Sequence, residues 1–317
     1  MSKSYDLSTS SKWANLADGE HTVKIKATGS GYGTSSFSNS VTVTKAAAGY
    51  TDCLTFTGKT NEFTLKTTTK AWDGTLEWST DHNTWTTLAG TETMQSVDKK
   101  LYLRGKGNTA LTYYDDDLGQ IYTNFKLSEK ADCNGNIQTL LDCENPPVII
   151  NTNNCFEHLF AECANLTSAP ELPATALKPW CYYAMFAGCT NLTTAPELPA
   201  TTLAVCCYYD MFYGCANLIT APRLSATTLA AHCYNGMFGN CTSLTTAPEL
   251  PATTLKESCY YSMFKDCTKL KVNTTSGNKI FTCPSTIPND AVTNMFSNTG
   301  GTFTSTPTAG TTYYWAE

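Results

Sequence analysis

The sequence predicts a β-rich multidomain protein in which N-terminal β-sandwich modules precede a solenoid of 26-residue coils, each made of a short helix and an extended arm. Three observations predict this fold class. A cysteine-containing sequence recurs every 26 residues, which is typical of stacked repeats that cover one another's apolar faces. Alternating polar and apolar residues fill much of the first 131 residues, as in half-buried strands. Prolines recur in most repeats, where they favour extended backbone over helix.

Residues 1–45 are predicted to form part of a first β-sandwich. Alternating patterns over residues 21–27 and 40–44 predict two strands, and the glycine-rich stretch between them predicts a hairpin connection. The sequence "LADGEHTV" resembles a strand opening of fibronectin-III or immunoglobulin-like modules, and the segment matches only the last three strands of such a module. Because an incomplete sandwich has an open edge, we expect a trimmed module or a partner that supplies the missing strands.

Residues 50–131 are predicted to form a second, smaller β-sandwich. Strand signals recur in "CLTFTG", "EFTLKT", "GTLEWSTDHNTWTTL", "KKLYLRG" and "QIYTNFKLS". In the third of these, two tryptophans flank a polar turn, as in a hairpin. The solenoid domain is predicted at residues 132–317, with its entry cap at about residues 132–154.

Five copies of one sequence frame follow without a slip in register. The first residues of the copies are the leading cysteines, and we number coils 1 to 5 from them: Cys155, Cys181, Cys207, Cys233 and Cys259. A second series falls eight residues after the first, at Cys163, Cys189, Cys215, Cys241 and Cys267. The frame is lost after Leu270, and residues 271–317 are predicted to form the exit cap. There, a weaker echo keeps the spacing of the apolar residues at Ile287, Ala291, Met295 and Phe296.

Each coil is predicted to contain a short helix and an extended arm. Leu177, Cys181, Met185 and Cys189 are four residues apart, which places them on one stripe of a helix of about two to three turns. In "TTAPELPATT", the residues before each proline are pushed towards extended backbone. Because proline cannot donate to a strand ladder, pairing between coils is expected near residues 192–195.

The frame C-[YF]-x-x-[ML]-F-x-x-C-x-x-L-x-x-A-P-x-L resembles the BspA-type leucine-rich repeat, a family of surface proteins of gut and oral bacteria and some of their phages. The resemblance is strong over residues 155–270 and looser over 136–317. It implies a leucine-rich-repeat solenoid and a role in adhesion or recognition, through attachment to a host-cell protein or glycan. The chain departs from the family by using "APELPATTL" in place of a plain strand.

Composition narrows the class of partner. Only 15% of the residues are charged, against about 25% in ordinary soluble domains, which is common in extended extracellular or virion proteins. The net charge of −6 and the lack of a basic cluster argue against nucleic acid. No apolar run approaches membrane-spanning length, so no membrane insertion is expected. No secretory signal follows Met1, so we expect either delivery without a signal or a fragment of a longer protein.

Fifteen cysteines suggest disulfides, but the count is odd and ten of them lie in the two repeat columns. Stacked coils could bring column neighbours to bridging distance, and metal binding is a further alternative. Because a free cysteine is a small, readily buried side chain, we expect buried free thiols. The Cys-x₇-Cys spacing does not fit zinc, and no metal site or cofactor is predicted.

No catalytic constellation stands out. None of the four histidines has an obvious nucleophile or carboxylate partner in the sequence. The glycine-rich run at residues 29–33 lacks the strand-to-helix context of a dinucleotide site. The sequence therefore predicts that the protein is not an enzyme.

Two sets of residues are candidates for binding. Positions that vary while the frame holds are expected to face water, and one such file runs after the alanine-proline step: Glu171, Glu197, Arg223 and Glu249. This file is either a recognition stripe or a solvated face with charge pairing between coils. An aromatic column either offers stacking surfaces or packs at the rim of the solenoid: Tyr182, Tyr208, Tyr234 and Tyr260.

Together these features predict a non-enzymatic binding or adhesion protein. We expect a phage virion component of the tail, baseplate or head fibre that recognises a host-cell surface protein or glycan, with other virion proteins as further partners. One alternative is a fragment of a bacterial cell-surface adhesin. Another is an intracellular inhibitor that binds a host protein. A homo-oligomer is a further alternative, because fibres are often trimeric, although no heptad pattern supports a trimer here.

Overall fold

The computed structural model describes residues 19–23, 41–45, 53–115, 117 and 119–316. The chain divides into two compact units, residues 1–51 and residues 52–317. In the first unit, strand β1 (Gly19–Val23) pairs antiparallel with β2 (Val41–Lys45), as the alternating patterns predicted. The remaining residues of the partial sandwich predicted at 1–45 lie outside the described residues.

The second unit is β-rich. Its strands are β3 (Leu54–Gly58), β4 (Thr64–Thr67), β5 (Thr75–Ser79), β6 (Thr86–Thr87), β7 (Thr93–Gln95), β8 (Lys100–Lys106), β9 (Thr112–Asp115), β10 (Gly119–Tyr122), β11 (Phe125–Leu127), β12 (Ala131–Asn134), β13 (Leu166–Ser168), β14 (Lys271–Asn273), β15 (Asn278–Thr282), β16 (Gly300–Gly301) and β17 (Thr312–Ala316). They form sheets of six strands (β13-β12-β3-β8-β5-β6), three strands (β11-β4-β7), four strands (β15-β17-β14-β16) and two strands (β10-β9). A 3-10 turn at Ile137–Leu140 is the one helical element among the described residues.

The six-stranded and three-stranded sheets share one apolar core. Strand β8 alternates buried and accessible residues, as expected when one face of a sheet is packed and the other is wet. Phe56 on β3 and Phe125 on β11 both contact Phe160 of coil 1, with ring centroids 6.3 and 5.7 Å apart. The sandwich core therefore continues directly into the first coil.

The coils stack through a regular backbone ladder. The N–H of Ala184 donates to the carbonyl of Tyr209 in the next coil at 2.8 Å. The N–H of Tyr183, one residue earlier, instead donates within its own coil to the carbonyl of Trp180 at 3.1 Å. This alternation recurs along each coil, so local turns and contacts between coils each satisfy about half of the donors in this segment.

The short helix predicted in each coil is wrong. A helix keeps its N–H groups within its own chain segment, at the carbonyl four residues earlier. Here every fourth residue instead has a left-handed backbone, as at Trp180 (φ 61°), Ala184 (φ 48°) and Gly188 (φ 73°). A run of overlapping turns therefore produces the four-residue apolar period that resembled a helical stripe.

Two aromatic columns run through the stack. Phenylalanines of successive coils lie with ring centroids 5.5–5.8 Å apart and planes within 12° of parallel, at Phe160, Phe186, Phe212, Phe238, Phe264 and Phe296. A parallel column starts at Phe156 and continues through the four candidate tyrosines. Each such contact contributes roughly 0.5–1.5 kcal/mol beyond the burial of area.

The exit cap keeps part of the coil geometry. Ala291, Met295 and Phe296 are fully buried, and the N–H of Tyr260 donates to the carbonyl of Ala291. Ile287, in contrast, is 37% exposed, so this position of the predicted echo leaves the core. The four-stranded sheet then covers the end of the stack, with Tyr313 packed against Phe296.

The predicted burial of the column cysteines is confirmed. None of the fifteen cysteines, all of which the structure describes, forms a disulfide, and all but the half-buried Cys143 are buried. In coils 2 to 5 the thiol of the second series donates to a phenylalanine carbonyl of the preceding coil, as from Cys215 to Phe186 at 3.2 Å. Burial raises the pKa of these thiols, as for Cys163 to about 11, which keeps them protonated and poorly nucleophilic near neutral pH.

Candidate functional site

The exposed file of Glu171, Glu197, Arg223 and Glu249 lies along one side of the stack, and all four side chains are exposed. A parallel backbone bridge between Leu198 and Leu224 holds two neighbouring arms in register beside it. Another bridge joins Thr194 to Thr220, within the region where pairing between coils was predicted. Residues that are 26 apart in sequence are thus presented side by side.

A cavity of about 630 Å³ opens where the arms of coils 3 and 4 meet the last strand of the exit cap. We call it the charged cavity. Arg223 comes from coil 3, Glu249 from coil 4, and Trp315 from β17. Its remaining lining is Thr220, Ala221, Leu224, Ser225, Thr227, Thr246, Ala247, Pro248 and Pro251.

The arm of coil 3 departs from the repeat frame at two positions, and both line this cavity. Coils 1, 2 and 4 each read "PELPA", whereas coil 3 reads "PRLSA". Arg223 thus replaces a glutamate, and Ser225 replaces a proline. The two substitutions supply a cation and a hydroxyl where the other coils have a carboxylate and an apolar ring.

The polar groups of the cavity are unevenly paired. The Glu249 carboxylate lies 3.7 Å from the Lys279 ammonium group. Arg223 forms no ion pair or hydrogen bond with any residue that the structure describes. The Oγ1 atom of Thr246 is buried and has no hydrogen-bond partner among the described residues. Charge pairing between coils does not involve Arg223, so its guanidinium is available to a ligand.

A second cavity of about 390 Å³ lies between the arms of coils 1 and 2. We call it the proline cavity. Its walls contain Glu171 and Glu197 together with four prolines, Pro170, Pro173, Pro196 and Pro199. No cation and no aromatic ring lines it.

The tyrosine column cannot serve as a stacking surface. Tyr182, Tyr208, Tyr234 and Tyr260 are each at most 2% exposed, because each ring is packed between rings of the coils above and below. These four residues belong to the core. The rings lie inside the stack of coils and not at its rim, where the alternative interpretation placed them.

A group of three half-buried aromatic residues lies close to the tyrosine column in sequence. Trp180, Tyr183 and Tyr209 contact one another edge-to-face or stacked, with ring centroids 5.2–6.1 Å apart. Beside them, burial raises the pKa of the Asp210 carboxyl to about 6, and the nearby His158 opposes this shift. We call this set the aromatic ledge.

Sequence analysis missed three residues of the charged cavity: Ser225, Thr246 and Trp315. Ser225 could have been found, because it departs from the frame of the other arms. Trp315 could not, because it lies 92 residues after Arg223 and outside the repeats. Only the return of β17 along the sheet places it here.

Comparison of the chain with protein-family models, curated proteins and solved structures found no match. Within the described ranges, no helix has the length and apolar character to cross a bilayer. The same residues include no group of three or more His, Cys, Asp or Glu side chains arranged to hold a metal ion.

Proposed function

We propose that this chain is a non-enzymatic recognition protein whose stacked coils form a leucine-rich-repeat solenoid of the BspA type. It binds a protein or glycan on the surface of a host cell. The resemblance of the repeat frame supports the family, and the backbone ladder between coils 26 residues apart supports the stacked architecture.

One observation carries the binding role. The residues that the repeat frame fixes are buried, since the cysteine, phenylalanine and tyrosine columns all lie inside the stack. The exposed file and the charged cavity are where side chains differ between coils and face solvent. A stack of coils whose exposed positions vary is suited to presenting a binding surface, as in other repeat proteins.

The site of action that we propose is the phage virion, as a tail, baseplate or head-fibre component. Mass spectrometry of purified particles should detect the chain at a fixed copy number, and antibodies against residues 155–270 should label intact particles. Labelling of the bacterial envelope in uninfected cells would instead favour a cell-surface adhesin. Recovery only from the soluble lysate of infected cells, bound to a host protein, would favour an inhibitor.

The binding role is tested with the purified chain. A fluorescently labelled full-length chain should bind intact host cells in a saturable way, and unlabelled chain should compete with it. Pretreating the cells with protease or with glycosidases separates a protein receptor from a glycan. Absence of saturable binding to any cell that the particle infects would contradict the role.

A further inference from the structure

We propose that the charged cavity binds a carboxylate-bearing sugar, a sialic or uronic acid residue of a surface glycan, an inference that rests on the function proposed above. Its volume of about 630 Å³ falls within the roughly 300–1,000 Å³ of small-molecule sites. The ligand carboxylate pairs with Arg223, and its ring lies against Trp315.

Arg223 sets the charge that the cavity accepts. Its planar guanidinium can donate two parallel N–H bonds to a carboxylate, which is the strongest side-chain pairing for that group. No described residue competes for these donors. Because Lys279 lies beside Glu249, the local balance of these three groups is one net positive charge. An anionic ligand is therefore favoured over a cationic one.

Trp315 and the hydroxyl groups favour a sugar over a bare anion. Trp315 is partly buried against the core, so one part of the indole is fixed while the rest lines the cavity. An aromatic wall suits the apolar C–H face of a pyranose ring. The hydroxyl group of Ser225, which lines the cavity, can then exchange hydrogen bonds with the ring hydroxyls.

The arm of coil 3 is consistent with this assignment. The two residues that differ from "PELPA" both line the cavity. Arg223 supplies a cation that attracts an anionic ligand, and Ser225 supplies a hydroxyl that can bond to a hydroxylated one. A substitution that served only stacking would fall on buried positions. Arg223 is exposed and contributes nothing to the buried columns.

The test is isothermal titration calorimetry of the full chain with three probes: 3′-sialyllactose, trigalacturonic acid and lactose. We expect binding of one or both acidic probes with a Kd of roughly 0.1–5 mM, as is common for a small polar ligand in an open site. Lactose, which lacks the carboxylate, should bind at least about tenfold more weakly. The two acidic probes distinguish a sialic acid from a uronic acid.

Three variants locate the binding. Arg223→Glu restores the frame residue and should weaken acidic-sugar binding more than tenfold, while Arg223→Lys should weaken it about three- to tenfold because the fork is lost. Glu129→Arg places an arginine at an exposed position outside the file and both cavities, and should leave the affinity unchanged. Both positions are exposed, so circular dichroism and melting temperature should match the parent chain for all three variants.

Several results would overturn the inference. The inference fails if lactose binds as tightly as the acidic probes, or if neither acidic probe binds at 20 mM. It also fails if both Arg223 variants bind acidic sugars as tightly as the parent chain. A glutamate-rich peptide that binds through Arg223 when the sugars do not would assign the cavity to a protein ligand. If the chain binds acidic sugars through Arg223 but is absent from particles and cells, the cavity assignment holds and the proposed function fails.

Discussion

The charged cavity and the proline cavity are built from the same arms, yet their chemistry differs. Both lie between neighbouring "AP-x-L" arms, and both are lined by exposed residues of the same file. The proline cavity has two carboxylates and four prolines, whereas the charged cavity has a free guanidinium, hydroxyl groups and an indole. The repeat frame therefore supplies the walls, and departures from the frame together with the end sheet supply the chemistry.

The largest expected effect tests whether the two cavities share one scaffold. Phe186 in coil 2 and Phe212 in coil 3 are fully buried between rings of the adjacent coils. Phe186→Ala and Phe212→Ala should each lower the free energy of unfolding by about 3–5 kcal/mol, through lost burial and a residual cavity. Urea denaturation provides the measurement, with Ile219→Ala at an exposed position as a control that should change it by less than about 0.5 kcal/mol. If the two phenylalanine variants differed by more than about 2 kcal/mol, the scaffolds would not be equivalent.

Moving the coil 3 arm sequence into coil 2 separates the contribution of the arm to binding from that of Trp315. In an Arg223→Glu background, Glu197→Arg with Pro199→Ser writes the coil 3 sequence into coil 2. Because no indole lines the proline cavity, we expect its affinity for acidic sugars to stay at least about tenfold below that of the unmodified chain, or about 1.4 kcal/mol. Calorimetry with the same three probes measures this. Full recovery of affinity would mean that the arm alone makes the site and that Trp315 is dispensable.

Coils 2 and 3 also differ on their turn runs, at Ala184 and Asp210, which both have positive φ. Burial raises the pKa of the Asp210 carboxyl to about 6, above its value in the unfolded chain. The folded chain therefore binds the carboxyl proton more tightly than the unfolded chain does, and the stability that this proton contributes is lost as pH rises through about 6. Asp210→Asn, which cannot ionise, should therefore gain about 1 kcal/mol relative to the parent chain at pH 7.5 and almost nothing at pH 4.

Urea denaturation at the two pH values checks this sign. Ala184→Asn, at the matching position of coil 2, provides the control, because it changes no titrating group and its effect should be the same at both pH values. A gain from Asp210→Asn that was larger at pH 4 would contradict the raised pKa.

The smallest expected effect concerns the second departure of coil 3. Ser225→Pro restores the residue found at positions 173, 199 and 251, so the arm should accept it. We expect a change in unfolding free energy within about 1 kcal/mol, in the stabilising direction, because proline restricts the unfolded chain. Acidic-sugar affinity should fall about two- to fivefold with the lost hydroxyl. An unchanged affinity would remove Ser225 from the site while leaving Arg223 in it.

Much of the repeat geometry was predictable, but one inference from spacing failed. The four-residue apolar spacing suggested a helix, since helices and these turn runs both return a side chain to the same face after about four residues. The angle φ is positive at Gly188, Gly214, Gly236, Asp210 and Asn240. Glycine, asparagine and aspartate adopt left-handed backbone most easily, so their four-residue spacing was the available signal for turns.

The sequence by itself determined the period, the buried columns and the exposed file, because a strict 26-residue repeat places equivalent residues in equivalent surroundings. Only the tertiary structure decided that the tyrosine column is internal, that the stack is built from turns and not helices, and that Trp315 lines the same cavity as Arg223. The physical reason is that these features depend on hydrogen bonds and packing between segments far apart in the chain. Local propensity does not encode which carbonyl a given N–H will reach.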